Sequence, residues 1–176
     1  MRRLLVLLCY SFVLLYIVAA CENRDAPPNF TSDAVKLGEQ FLKEVYTVDD
    51  PDFDFDNIEL INDVQNRFST YFTKKEFANL AATRFFLLPK QVANKQNNTI
   101  SVQSIALDKY DGNQEESNSL DFDHSFTLIF TDRAGNEIDK VKMKGQMTVI
   151  DTKNGLKIDR YYDGNIIKDK LHDQAD

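Results

Sequence analysis

The chain predicts an α+β fold in which three N-terminal helices pack on a curved four-stranded antiparallel sheet. Three observations carry this expectation. Between Asp33 and Pro89 apolar residues recur every three or four positions, which is the helical period. Beyond Asn98 the period drops to two, as in strands with one buried face. The alternating runs are separated by short turn-forming segments, which suits strands that pair with their sequence neighbours. Helices in one block and strands in the next place the helices on one face of the sheet.

Ala34, Leu37, Phe41, Leu42 and Val45 form one apolar stripe from Asp33 onward, with Lys36, Glu39, Lys43 and Glu44 elsewhere, and Asp49-Asp50-Pro51 ends this first helix. Ile58, Ile61, Val64, Phe68 and Phe72 predict a second amphipathic helix. Thr73-Lys74-Lys75-Glu76 has capping-box spacing: the Thr73 hydroxyl can accept from the Glu76 N–H while the Glu76 carboxylate reaches back. A third helix follows, with Phe77, Leu80, Ala81 and Phe85 on one face, and Pro89 closes it.

Ile100 and Val102 begin the first strand, and the apolar phase then passes to Ile105 and Leu107, so a bulge is expected near Gln103-Ser104. Leu120, Phe122, Phe126, Leu128 and Phe130 alternate with polar residues in the second strand, as do Val141, Met143, Met147 and Val149 in the third. Leu156, Ile158 and Tyr162 mark the last. Asp132 to Asn136 is a hairpin loop, Asn154-Gly155 a tight turn, and Gly145 in mid-strand a bend or bulge. Asp111 to Ser119 is a long polar connection. The bulge and the bend curl the sheet.

Ahead of this domain, Met1-Arg2-Arg3 and the apolar run Leu4 to Val18 form an export leader over residues 1–20, too short and wrongly flanked for a retained membrane span. Its last residues, Val18-Ala19-Ala20-Cys21, resemble the lipobox of bacterial lipoproteins. That resemblance implies cleavage before Cys21, diacylglycerol on its thiol, and a lipid-anchored protein on the extracytoplasmic side of a cell membrane or envelope. An ordinary secretory leader cut at the same bond, leaving a free thiol, is the other reading. Residues 21–30, with Pro27-Pro28, form a tether whose reach from the lipid is at most about 30 Å. The domain spans 31–167, and the charged tail 168–176 is expected to fray.

Removal of the leader takes Arg2 and Arg3 and no acid, so 19 basic and 28 acidic residues remain and the net charge is −9. An acidic domain disfavours nucleic acid and anionic headgroups as direct partners. With Cys9 gone and Cys21 acylated, the mature chain has no thiol for a disulfide or a thiolate metal site, and stability rests on packing.

The order of elements resembles the NTF2-like, or cystatin-like, cone fold over about residues 31–165. Gly155-Leu156-Lys157-Ile158-Asp159 is similar to the closing strand of small NTF2-like lipoproteins. The resemblance implies a sheet face able to hold a ligand. It also implies two contrasting uses: enzymes that place acid–base groups inside the cone, and subunits of secretion apparatus that dimerise through the sheet.

His124 shares strand parity with Phe122, Phe126 and Phe130, which puts it on the apolar face, as an acid–base group or as a core histidine bonded to one neighbour. Arg160 and Tyr162 share parity with Leu156 and Ile158, as cavity groups or as strand residues with polar tips. Asp52, Asp54, Asp56 and Asp63 stand at the first, third, fifth and twelfth positions of an EF-hand-like loop, although Asn57 replaces the usual glycine. The alternative is an acidic link before a helix N-terminus. His124 and His172 lack zinc spacing, and no cofactor motif is present in the sequence. Three functions follow: a non-catalytic tethered domain binding an envelope protein or a small ligand, a cone enzyme using His124, or a structural subunit of an envelope secretion or assembly complex, with a homodimer as one possible state.

Overall fold

The computed structural model describes residues 29–110 and 118–171. The leader, Cys21, most of the tether, the middle of the long connection and His172 lie outside them. The helical block holds α1 (Phe30–Tyr46), α2 (Ile58–Phe68), α3 (Lys74–Ala82), a 3-10 turn (Phe85–Leu87) and α4 (Leu88–Gln96). Strands β1 (Thr99–Lys109), β2 (Ser119–Thr131), β3 (Glu137–Thr152) and β4 (Gly155–Tyr162) follow, then a short α5 (Ile166–Lys170). The sheet is an antiparallel meander in the order β1-β2-β3-β4, so the predicted fold class holds, with one more helix before the sheet than the sequence suggested.

That extra helix turns on Pro89, read from sequence as a terminator. Proline lacks an N–H and has a fixed φ, both of which suit the first turn of a helix, and Pro89 sits in the first turn of α4. Asn97 ends α4 in the left-handed conformation, with φ of 53°.

Helix α1 lies against β1 and β4, and its buried side comprises Phe30, Ala34, Gly38, Phe41, Leu42, Val45 and Tyr46. It starts before Asp33 and stops ahead of the Asp49-Asp50-Pro51 cluster, because Val48 has turned to pair with Ile100 through bonds of 2.8 and 2.9 Å. Phe41 is the hub of the core: Phe72 and Tyr161 meet its ring edge-on at 4.9 and 5.0 Å. Phe68 stacks on Phe86 at 5.0 Å.

Helix α2 carries little of this core. Phe68 is its only fully buried residue, and Ile58 is 64% exposed. Phe72, expected in this helix, lies beyond its end and bridges to Ile158 beside β4. A turn through Ser69 and Thr70 breaks the 3.6-residue phase that the apolar spacing implied.

On the sheet, the predicted inward residues Leu120, Phe122, Phe126, Leu128, Phe130, Met143, Met147 and Val149 are buried, and Val141 is partly buried against them. The expected bulge is present: pairing of β1 with β2 slips between Gln103 and Ala106, with Ser104 at φ of 55°. The tight turn sits one residue earlier than predicted, on Lys153-Asn154, and Gly155 takes φ of 89° as it enters β4.

Two expectations about the sheet are corrected. Gly145 marks no bulge, since the β2–β3 register runs unbroken through the pair His124–Gly145. The β3–β4 ladder instead slips between Thr148 and Val149, so Asp159 is the extra residue and side-chain parity reverses. Tyr161 therefore points into the core, while Arg160 and Tyr162 face out.

Residues 168–170, expected to fray, complete α5. Ile167 is buried, the Leu171 carbonyl accepts from Lys95 at 2.5 Å, and Lys170 pairs with Asp139 at 2.9 Å.

Candidate functional site

A buried polar cluster lies where α1, α3, the middle of β2 and the end of β4 meet. The Tyr46 hydroxyl donates its one proton to Asp163 Oδ2 at 2.5 Å. The 3.1 Å contact between the Tyr46 and Tyr161 hydroxyls is thus donated by Tyr161. Asp163 is only 6% exposed and also accepts from the Asn165 N–H at 3.0 Å. Burial above all, then the neighbouring Tyr161 and Asp163, hold the Tyr46 phenol well above its ordinary 10.0. Burial and then Asp163 do the same for Tyr161. Both are neutral donors.

Glu76 joins the cluster from α3. As predicted, Thr73 caps that helix by accepting from the Glu76 N–H, at 3.3 Å. The reciprocal half of the capping box is absent: the Glu76 carboxylate accepts from the Tyr161 N–H at 2.9 Å and from the Asn79 side chain at 3.1 Å. Glu76 thereby satisfies the edge of β4 just past the β3–β4 slip, where no further strand covers that N–H.

His124 lies on the inner face of β2, as its parity predicted, and is 2% exposed. Its ring stacks on Tyr161 at 5.3 Å with the planes parallel. Nε2 lies 3.2 Å from the Tyr162 carbonyl oxygen, and because a carbonyl only accepts, Nε2 carries the proton. Nδ1 is buried with no partner among the described residues. The arrangement is that of a core histidine, held edge to carbonyl and face to phenol. Gly145 across the ladder makes the room: a Cβ there would lie 2.7 Å from the His124 ring.

Burial, opposed by the Tyr162 carbonyl and by Asp163 and Asp123, lowers the His124 pKa from its ordinary 6.5. The unfolded chain protonates this ring near 6.5 and the folded one at lower pH, so between those values the unfolded state binds the extra proton. The His124 contribution to stability is therefore complete above 6.5 and falls on acidification, by at most about 1.4 kcal/mol per pH unit, until the folded ring protonates. Urea unfolding between about pH 7 and pH 5 is expected to show a steeper loss for the wild type than for His124→Phe. Parallel pH profiles would contradict this.

A cleft of about 210 Å³ opens beside the cluster, between α3, the 3-10 turn and α4 on one side and the end of β4 with α5 on the other. Leu80, Phe85, Leu88 and Ile167 are its apolar lining, Tyr161 and Asp163 its buried polar one, and Thr83, Tyr162 and Lys168 its exposed rim. His124 is not among the lining residues. Sequence reasoning missed Tyr161 because the slip at Thr148 reverses the parity on which β4 was read, and missed Tyr46, in α1, and Asp163, past the end of β4, because neither belongs to a motif.

The acidic link before α2 is held by its own turns. The Asp52 and Asp56 N–H groups bond the side chains of Asp50 and Asp54, at 2.9 and 3.0 Å. Asn57 caps α2 by accepting from Glu59 and Leu60. Asp52 pairs with Arg133 at 2.5 Å, and Asp63 is exposed on α2. Among the described residues no group of three acidic, histidine or cysteine side chains is arranged to hold a metal ion. Phe53 and Phe55, half-buried, pack on each other at 4.7 Å.

No protein-family model and no curated protein matches the sequence. Solved structures do resemble the fold. A periplasmic fragment of TraM superposes with a TM-score of 0.52 at 12% identity, over 76% of this chain and 96% of that one. An IcmL-like type IV secretion system protein from Legionella pneumophila superposes with a TM-score of 0.54 at 13% identity, over 78% and 93%. The chain is thus an α+β domain with helices packed on an open antiparallel sheet, similar in fold to these two proteins and consistent with an NTF2-like cone.

Proposed function

We propose that this protein is a non-catalytic, lipid-tethered extracytoplasmic domain that works as a docking subunit of an envelope assembly of the secretion type. The observation that carries the reading is that the inner face of the sheet is occupied by the protein's own core. Phe122, His124, Phe126 and Met147 are buried there beneath α1, whose Gly38 comes so close that a Cβ would sit 2.4 Å from Leu107 Cδ2. An acid–base role for His124 needs an open approach to the ring, and the ring is stacked and buried. Function then falls to outer surfaces, which agrees with the fold-level likeness to a TraM periplasmic fragment and an IcmL-like secretion protein.

The outer sheet face is polar and internally bonded: Gln146 donates to Asp123 at 3.0 Å, and Thr148 to Asp121. A homodimer through this face would be a hydrophilic one. Among the described residues no helix is long and apolar enough to cross a membrane. Attachment in this reading is through the lipid on Cys21.

Mass spectrometry of the membrane-extracted protein tests the tether. The expected mature chain begins at Cys21 and carries a diacylglycerol, while Cys21→Ala carries no lipid and leaves the membrane fraction when its leader is cut. A mature wild-type chain with a free Cys21 thiol would overturn the tether. Blue-native electrophoresis of solubilised envelopes tests the assembly, with migration well above the monomer expected and migration as a monomer contradicting it.

A further inference from the structure

Asp163 places a buried carboxylate in the lining of a largely apolar cleft without a cationic partner. Its two bonds come from neutral donors, the Tyr46 hydroxyl and the Asn165 N–H, and among the described residues neither lysine nor arginine pairs with it. A carboxylate held inside the fold by neutral donors alone is complemented by a cation that also fills the apolar lining. Carboxylate oxygens can each accept two hydrogen bonds, so the two bonds present leave acceptor capacity for a ligand. We infer that the cleft is a binding site for a cationic nitrogen on a slim apolar stem, with Asp163 as its counter-ion and Leu80, Phe85, Leu88 and Ile167 gripping the stem.

Size and rim narrow the choice. A cleft of about 210 Å³ is smaller than the sites that enclose drug-sized ligands, so its occupant is a single group: a small alkylamine, or the lysine or arginine side chain of a partner protein. The two share one chemistry. Lys168 stands exposed at the rim and opposes an incoming cation, which makes the site weak for free amines and sensitive to that residue. The inference is independent of the assembly reading, because a free amine would fill the cleft of a protein with no partner.

Isothermal titration of the full chain in detergent tests it, with hexylammonium and the amide of N-acetyl-lysine as cations, hexanol as the neutral control and hexanoate as the anion. Both cations are expected to bind about tenfold or more tighter than hexanol, and hexanoate weakest. Asp163→Asn, which keeps an acceptor for Tyr46, is expected to lose about tenfold for the cations and little for hexanol. Thr83→Trp blocks the mouth from an exposed position at the end of α3, giving up only the hydroxyl bond to the Leu80 carbonyl, and should abolish binding of all of them. Lys168→Ala should tighten the cations about twofold to threefold. Preference for the lysine amide assigns the occupant to a protein side chain and preference for hexylammonium to a free amine, and either supports the site. Equal binding of hexanol and cations, unchanged cation binding in Asp163→Asn or Thr83→Trp, or no heat at about 10 mM cation would overturn it.

Discussion

Gly145→Ala is expected to destabilise the domain by about 3 kcal/mol or more, a large share of what holds a domain of this size together. A Cβ at this position would sit 1.9 Å from the Tyr162 carbonyl oxygen and 2.7 Å from two atoms of the His124 ring. The first is backbone, so β4 has to move away from β3 and lose the Gln146–Tyr162 pairing. The second is a ring already fixed by its Tyr162 bond and its stack on Tyr161. Neither neighbour can give way cheaply. Gly38→Ala is the control: its Cβ meets the tips of Leu107 and Met147, which can rotate, and alanine is the better helix former by about 1 kcal/mol. Urea denaturation of the two variants should separate them clearly, and a Gly145→Ala cost no larger than that of Gly38→Ala would refute the packing described around His124.

Tyr46→Phe is expected to cost about 3 kcal/mol although only one oxygen is removed. The ring stays against Phe126, at 4.9 Å between centroids, so packing is conserved. What is lost is the relay: Asp163 loses a donor at 2.5 Å and the Tyr161 hydroxyl loses its acceptor, both in the interior. Unsatisfied buried groups cost more than the bonds were worth, and a buried charge raises the cost further. The double variant Tyr46→Phe with Asp163→Asn should therefore lose less than the two single losses added together, because the second change removes the charge that the first strands. Strict additivity would show that the two groups do not act as a unit. Tyr71→Phe offers a milder comparison, since its hydroxyl donates to Glu44 at 2.7 Å in a half-buried setting; that contact follows burial among the causes that push the Tyr71 pKa up to about 12.

Patterning explains which parts of the fold were legible. The inward residues of β2 and β3 follow from strict alternation, and the β1 bulge shows as a shift of phase from Val102 to Ile105. The turn at Ser69-Thr70 and the start of α4 at Leu88 left no such mark: Phe72 continues the helical spacing by coincidence, and a proline both ends helices and begins them. The candidate site was half legible. Strand parity puts His124 on the face where it lies, and the Thr73–Glu76 spacing marks the cap that forms. The rest depends on the extra residue at Asp159, which turns Tyr161 inward beside Tyr46 and Glu76, and the sequence does not mark that slip, because two tyrosines follow Arg160 and either could take the inward place. The capping box failed in its second half for a related reason: the edge of β4 offered Glu76 a buried N–H, and tertiary demand overrode the local motif.

A domain whose inner sheet face is closed by its own core is left, in the function proposed above, with its outer surfaces for docking in the envelope. Site-specific photo-crosslinking in the cells that make the protein tests this most directly, with a photoreactive residue placed in turn at Lys142 and Gln146 on the outer sheet face and at Lys36 and Lys75 on the helical side, all exposed. The expected result is a discrete higher-mass adduct from one of these faces and not the other, retained in detergent and lost when Cys21→Ala removes the proposed tether. Absence of adducts from both faces, or equal diffuse labelling from each, would contradict it.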